Sequence, residues 1–397
     1  MTDFTTRVWN GERIYMVEFG RAKTGSPHMK FPDVDNIGFQ DNGQPNEHGP
    51  VMSIMNGLKD VRVQFYRAEI SRSAPLYIVS TDPTVAKITG PASGQLGSDL
   101  AQTIKFSALA AGRAAFEVRY QWQDGPVLGR LYVQVYQRKN IALRLHLVTV
   151  NGAGNPTNFF GKNCPHLADQ QARLKWFIQQ VNHTWIPHGI YLQPEATIYN
   201  TVWGAAQIGS ASVSPTYNEL VMGGALSPNR SAASINVYVL GQWTMGTTMA
   251  LGVPVKWAKQ QNLLYPVAPG PGVVQHLSNA VYLRSSQFVE PVIVAHEFGH
   301  YMELCSLANN GAVQQWHSTG DSVGGNPGVR DDLVSRRRMM YPIVSLQASS
   351  FPWRNDVGYG AGKTGGFISY RTLAQDITLG ESSRARNAAA GGNFYAV

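Results

Sequence analysis

The segment Pro291–Leu304, PVIVAHEFGHYMEL, contains the pattern His296-Glu-Phe-Gly-His300, which matches H-E-x-x-H. On an α-helix, residues four apart lie one turn apart on the same face, so both imidazoles can reach one metal ion. Glu297 is offset by about 100° from His296, beside the ion, where a general base for a water belongs. The pattern therefore predicts a metal-dependent hydrolase.

The residues around this pattern favour a helix. Pro291 suits a first helical turn, because the N–H groups of that turn have no partner within the helix and proline lacks an N–H. Apolar residues surround the two histidines, and Asn309-Asn-Gly311 is a signal for the C-terminal end of a helix. We therefore expect a helix that begins at Pro291 and ends at the stop signal Asn309-Asn-Gly311.

Length, composition and charge limit the classes of protein. A chain of 397 residues with 43% hydrophobic residues can hold two or three domains, each with its own core. The formal net charge of +8 comes from dispersed basic residues, and Arg336-Arg-Arg338 is the one compact run. Without a nucleic-acid motif beside it, we expect no nucleic-acid partner; a basic surface suits anionic cell-envelope material equally well.

Neither a membrane anchor nor a signal peptide is expected. The sequence has no run of about 18 apolar residues, so we expect no transmembrane segment. The N-terminus, MTDFTTRVW, lacks the apolar core of a signal peptide. The expectation is a protein that is cytoplasmic as synthesised, or exported by a route that reads no such signal.

The two cysteines, Cys164 and Cys305, can form at most one disulfide. The apolar neighbours of Cys305 favour buried free thiols, and pairing of the two stays open as the alternative.

Patterning divides the chain into four parts. Short strands with alternating apolar and polar residues dominate the second part (51–138) and predict a β-sandwich. In the third part (139–345), four strands and a helix are predicted before the H-E-x-x-H helix. The strands are at 141–150, 190–199, 235–240 and 280–284, the helix is at 166–185, and the stretches 200–230 and 243–272 are loop-like. The predicted parts are an N-terminal loop and β segment (1–50), the sandwich (51–138), a catalytic domain (139–345), and a C-terminal extension packed on the catalytic domain (346–397).

Three stretches of the sandwich region resemble bacterial immunoglobulin-like domains. They are STDPTVAKI at 80–88, AGRAAFEV at 111–118 and YVQV at 132–135. The resemblance implies an all-β immunoglobulin-like fold that spaces or presents a neighbouring domain; some members of that family bind cell surfaces.

The order of strand, long helix, strands and H-E-x-x-H helix resembles a zincin metallopeptidase over residues 140–345. The resemblance implies an α+β zincin-type metallopeptidase domain that follows the immunoglobulin-like sandwich. It also implies a catalytic zinc ion (Zn2+) and a protein or peptide substrate, whose peptide bonds are hydrolysed by a metal-activated water with Glu297 as general base. The strand at 280–284 would then be the sheet edge that pairs with an extended peptide.

A catalytic zinc ion usually has three protein ligands, so a third must join His296 and His300. The metzincin pattern H-E-x-x-H-x-x-G-x-x-H does not continue here, because Glu303 and Ser306 stand at its glycine and last histidine positions. We predict His317, which follows the expected end of the helix after a short loop.

The segment Arg338-Met-Met-Tyr-Pro342 supports that assignment, because it resembles the Met-turn below metzincin zinc sites. The resemblance implies that Met340 lies under the ligands and that Tyr341 lies near the metal ion or the substrate. The alternatives to His317 are carboxylates: Asp321, Asp331, Asp332, and Asp356 in DVGYG. Glu303 is too far along the helix to share the ion with His296, so it either accepts a hydrogen bond from His300 or is solvated.

Two other function classes stay open on the sequence. One is a surface-binding or structural protein with a vestigial metal site, and the other is a zinc amidase that acts on cell-wall peptides. A chain without a signal that joins a presentation domain to a peptidase fits a bacterial effector exported by a type VI-like secretion apparatus, with an immunity protein as a further partner.

Overall fold

The computed structural model divides the chain into two compact units. The first comprises Met1–Arg138, Trp185–Ile190 and Thr378–Gly380, and the second comprises Lys139–Thr184, Tyr191–Ile377 and Glu381–Val397. The structure describes residues 7–9, 12–14, 17–21, 34–35, 51–67, 74–153, 167–231, 233–245, 250–252, 265–266, 273–274, 280–284, 291–302, 306–307, 313–315 and 385–386.

The first unit is a β-sandwich. Its strands are β1 Arg7–Trp9, β2 Glu12–Ile14, β3 Val17–Arg21, β4 Val34–Asp35, β5 Val51–Met55, β6 Val61–Arg67, β7 Leu76–Ser80, β8 Ala86–Gly90, β9 Gln95–Leu96, β10 Ala101–Ala108, β11 Gly112–Tyr120 and β12 Val127–Tyr136. One sheet has the order β3-β6-β10-β8 and the other β4-β5-β12-β11-β7-β9, while β1 and β2 form a separate pair. Because β3 and β4 belong to these sheets, the sandwich reaches back before residue 51.

Alternating side chains form the core between the two sheets. On β6, Val61, Val63 and Phe65 are almost fully buried and belong to the same core cluster as residues of the opposite sheet. Phe106 of β10 meets Phe116 of β11 edge to face, with ring centroids 4.8 Å apart. The prediction of a β-rich chain with more than one domain is thus confirmed.

The second unit holds a five-stranded sheet in the order β14-β13-β15-β19-β16. The strands along this part of the chain are β13 Lys139–Val150, β14 Ile190–Trp203, β15 Ile235–Leu240, β16 Ala250–Gly252, β17 Tyr265–Pro266, β18 Val273–Val274, β19 Ala280–Arg284, β20 Ser306–Leu307 and β21 Val313–Gln315. The helices along this part of the chain are α1 Leu167–Trp185, α2 Ala205–Ile208, α3 Tyr217–Ala225 and α4 Pro291–Tyr301, and a 3₁₀ turn spans Ile186–His188. None of the helices that the structure describes has both the length and the apolar run needed to cross a membrane.

The strand predicted at 280–284 exists as β19, but its predicted place at the edge of the sheet is wrong. β19 pairs in parallel with β15 on one side and antiparallel with β16 on the other. Among the described strands, β16 lies at that edge of the sheet. The sequence did not indicate β16, because three residues are too few for an alternating pattern to be recognised.

The prediction of a loop over 200–230 is also wrong. Strand β14 continues to Trp203, and α2 and α3 follow it. The signal for α3 is a capping box, in which Thr216 N–H donates to Glu219 Oε2 (2.7 Å) and Glu219 N–H donates to Thr216 Oγ1 (3.4 Å). This reciprocal pair satisfies two amides that a helix N-terminus leaves unpaired.

His146 of β13 lies fully buried in the middle of the sheet. Its ring stacks on Tyr238 at 4.5 Å, Nδ1 lies 2.9 Å from Thr201 Oγ1, and Nε2 lies 3.3 Å from Asn236 Oδ1. Burial lowers the pKa of His146 to about 4, and the Asn236 contact opposes that shift only in part. The imidazole is therefore neutral at neutral pH and has a structural role.

We expect the second unit to lose stability as the pH falls from about 6.5 to about 4. Between these pH values His146 is protonated in the unfolded chain but not in the folded protein, so protonation favours unfolding. Over the whole range the free energy of unfolding falls by an amount on the order of 3 kcal/mol. Denaturant unfolding of wild type and His146→Gln at pH 7 and pH 4.5 checks this, and the variant should show the smaller pH dependence. Equal pH dependence in the two proteins would contradict it.

Candidate metal centre

Helix α4 is buried along its described side chains. It packs against β16 and β19, and the side chains from Ile293 to Met302 are all buried. Four of them carry polar groups: His296, Glu297, His300 and Tyr301. Buried polar groups are unfavourable unless they have partners, so this grouping inside an apolar helix is a candidate functional site.

The helix is shorter than predicted. It ends at Tyr301, after which Met302 N–H donates to Phe298 O (2.8 Å). Strand β20 follows within a few residues and pairs antiparallel with β21, so the chain leaves the helix earlier than the apolar pattern indicates. Glu303, Cys164, Cys305 and Asn309–Gly311 lie outside the described residues, and their predicted roles stay predictions.

The structure brings the two motif histidines together. His296 and His300 are 5% and 3% exposed, and their ring centroids are 4.7 Å apart at an interplanar angle of 87°. Two imidazoles on one tetrahedral zinc ion, with Zn–N distances of about 2.0–2.1 Å, have ring centres roughly 5 Å apart. The observed pair therefore fits two of the ligands of such an ion.

Glu297 lies between these histidines in the sequence, and the edge strand holds its carboxylate. The backbone N–H of Gly252 on β16 donates to Glu297 Oε2 at 2.6 Å. Burial raises the pKa of Glu297 to about 8, and the Gly252 hydrogen bond works in the opposite direction. A carboxyl group with this pKa is suited to exchanging a proton near neutral pH.

Gly252 is a site residue that the sequence did not reveal. It lies in a stretch that was predicted to be irregular, and it belongs to no motif. The available signal was weak: a glycine inside a strand often marks a place where another part of the chain comes close.

The described residues offer no third metal ligand beside His296 and His300. Within the part of the chain that the structure describes, no group of three His, Cys, Asp or Glu side chains is placed to hold a metal ion. The predicted third ligand, its alternatives and the Met-turn residues all lie outside that part: His317, Asp321, Asp331, Asp332, Asp356, Met340 and Tyr341. The predictions for these residues therefore stay predictions.

Comparison with known proteins does not assign the chain to a family. No protein-family model matches it, and no curated protein matches it. The function is therefore inferred from the side chains of α4 and β16 and their geometry.

Proposed function

We propose that the second unit is a zinc-dependent endopeptidase of zincin type and that the sandwich is an immunoglobulin-like module that presents it. The observation that carries the proposal is the arrangement on α4. Two buried imidazoles have ring centroids 4.7 Å apart, and the carboxyl group of Glu297, next to His296 in the sequence, is buried and held by the neighbouring strand.

His296 and His300 would hold the zinc ion, with His317 as the third ligand. When bound, the ion supplies a Lewis acid that polarises the scissile carbonyl and makes a water molecule more acidic. The two histidines are 5% and 3% exposed, so bulk water has little access to the imidazoles. A dry surrounding strengthens the interaction of charged groups inside the site.

Glu297 performs the proton transfers in this proposal. Its carboxylate takes a proton from the attacking water and later gives that proton to the departing amine. The Gly252 N–H, which donates to Oε2, favours the ionised form of Glu297 that can accept this proton.

Strand β16 is the proposed docking edge for the substrate. An extended peptide can add to an exposed sheet edge through backbone hydrogen bonds, and such binding depends little on the substrate's sequence. β16 lies at the edge of the described sheet and beside Glu297, so a chain docked through backbone groups of β16 other than the Gly252 N–H would have a peptide bond near the base.

The test measures zinc and proteolysis on the same samples. The full chain is stripped with a chelator, reloaded with zinc, and assayed on casein and on purified peptidoglycan. We expect about one zinc ion per chain and casein cleavage that requires it. Zinc binding without hydrolysis of either substrate would favour a surface-binding protein with a vestigial site, and hydrolysis of peptidoglycan alone would favour a cell-wall amidase.

A further inference from the structure

We propose that Gly252 is a positioning residue, whose backbone N–H fixes the carboxylate of Glu297 and whose position accepts no side chain. This inference rests on the proposed function of Glu297 as general base. It adds to that function a residue of the edge strand that does not touch the reacting atoms.

The hydrogen bond joins an amide of the edge strand to a side chain of the helix. On β16, Gly252 lies opposite Val281 of β19, but its N–H donates to Glu297 Oε2 (2.6 Å). In an antiparallel pair, backbone groups alternate between the partner strand and the other side. The amide of Gly252 therefore points to the side away from β19, which is the edge proposed to receive the substrate.

A side chain at position 252 would collide with the helix. A Cβ atom built there would lie 2.2 Å from the carbonyl oxygen of Glu297, 2.8 Å from its carbonyl carbon and 3.2 Å from its Cα. All three are backbone atoms, so they cannot move aside without a shift of α4 or β16. The backbone of Gly252 is not in the left-handed region, so glycine is required by this close approach and not by the backbone conformation.

The consequence is a carboxylate with a defined orientation. Because Oε2 is held by the amide, rotation of the carboxylate group is restricted and Oε1 becomes the oxygen that exchanges the proton. Catalytic groups are sensitive to such placement, since a shift of about 1 Å can lower a rate about a hundredfold.

The experiment removes the N–H without adding a side chain. Cell-free translation with a suppressor tRNA charged with glycolic acid replaces Gly252 by glycolate, which turns the amide N–H into an ester oxygen and adds no side chain. We expect kcat on casein-derived peptides to fall about ten- to hundredfold, with KM, zinc content and melting temperature close to those of wild type. The matched control is glycolate at Gly152, in the turn between Val150 and Ala153, where an added Cβ would meet nothing within 4 Å.

A second measurement does not depend on activity. In protein labelled with ¹⁵N-glycine, the amide proton of Gly252 should resonate downfield, as expected for a short hydrogen bond to a carboxylate. The Glu297→Ala variant should move that signal upfield and leave the Gly152 signal in place. An unchanged Gly252 signal would show that the hydrogen bond does not exist in solution.

The outcomes separate this inference from the proposed function. Equal kcat in the Gly252 ester and in wild type would overturn the positioning role and leave the peptidase intact. A parallel loss of zinc and kcat would show that Gly252 only maintains the structure of α4, which also overturns the inference. A zinc-loaded wild type without hydrolytic activity would overturn both proposals.

Discussion

Glu297→Gln is expected to lower kcat about 10²–10⁴-fold while the protein keeps its zinc. Glutamine has nearly the shape of glutamate, and its carbonyl oxygen can still accept the Gly252 N–H, but it cannot take a proton from water at neutral pH. The helix and its two histidines stay as they are, so metal binding should persist. Steady-state kinetics and zinc analysis of the same preparation measure both quantities.

Glu219→Gln is the matched control for that experiment. Glu219 is also a glutamate of the second unit, and its carboxylate accepts the N–H of Thr216 at the start of α3, a bond that glutamine can replace. The kcat of the Glu219→Gln variant should equal that of wild type. If Glu297→Gln kept full activity as well, Glu297 would not be the general base.

His296→Ala and His300→Ala are each expected to weaken zinc binding by more than about a hundredfold, since even partners of ligands contribute 10- to 100-fold. Each removes one of two buried imidazoles whose ring centroids are 4.7 Å apart, and leaves a site with too few ligands. Zinc content after dialysis against a weak chelator measures the loss, and hydrolysis should disappear with it. His183→Ala, on α1, serves as the control and should retain zinc.

The same assay locates the third ligand. His317→Ala should behave like His300→Ala, with zinc and activity lost together. Normal zinc content in His317→Ala would move the ligand to a carboxylate, and the corresponding alanine variants of Asp321, Asp331, Asp332 and Asp356 would then show which one. If none of these five variants lost zinc, the result would contradict a site whose third ligand is His317 or one of these four aspartates.

Several elements of the second unit follow from local sequence patterns. Strands β13, β15 and β19 and helix α1 lie within a few residues of their predicted positions, because apolar residues repeat along them with the period of a strand or a helix. α3 was missed although its capping box was present, because the Ser- and Gly-rich sequence around it has the composition of a loop.

The end of α4 and the place of β19 could not be read from local patterns. The residues after Tyr301 continue an apolar pattern, but pairing of β20 with β21 takes the chain out of the helix. The interior position of β19 depends on pairing with β16, a three-residue strand without a recognisable pattern. Both outcomes depend on hydrogen bonds to distant segments, which intrinsic propensity does not contain.

By itself the sequence determined that His296 and His300 share one face of a helix and that Glu297 lies beside them, because the helical repeat of 3.6 residues leaves no other arrangement. Only the tertiary structure decided that this helix is buried and that the amide of Gly252 holds Glu297. The two residues are 45 positions apart, and their contact arises because β16 completes the sheet against which α4 packs. A contact of that kind comes from how the segments pack together, and no local spacing of residue types encodes it.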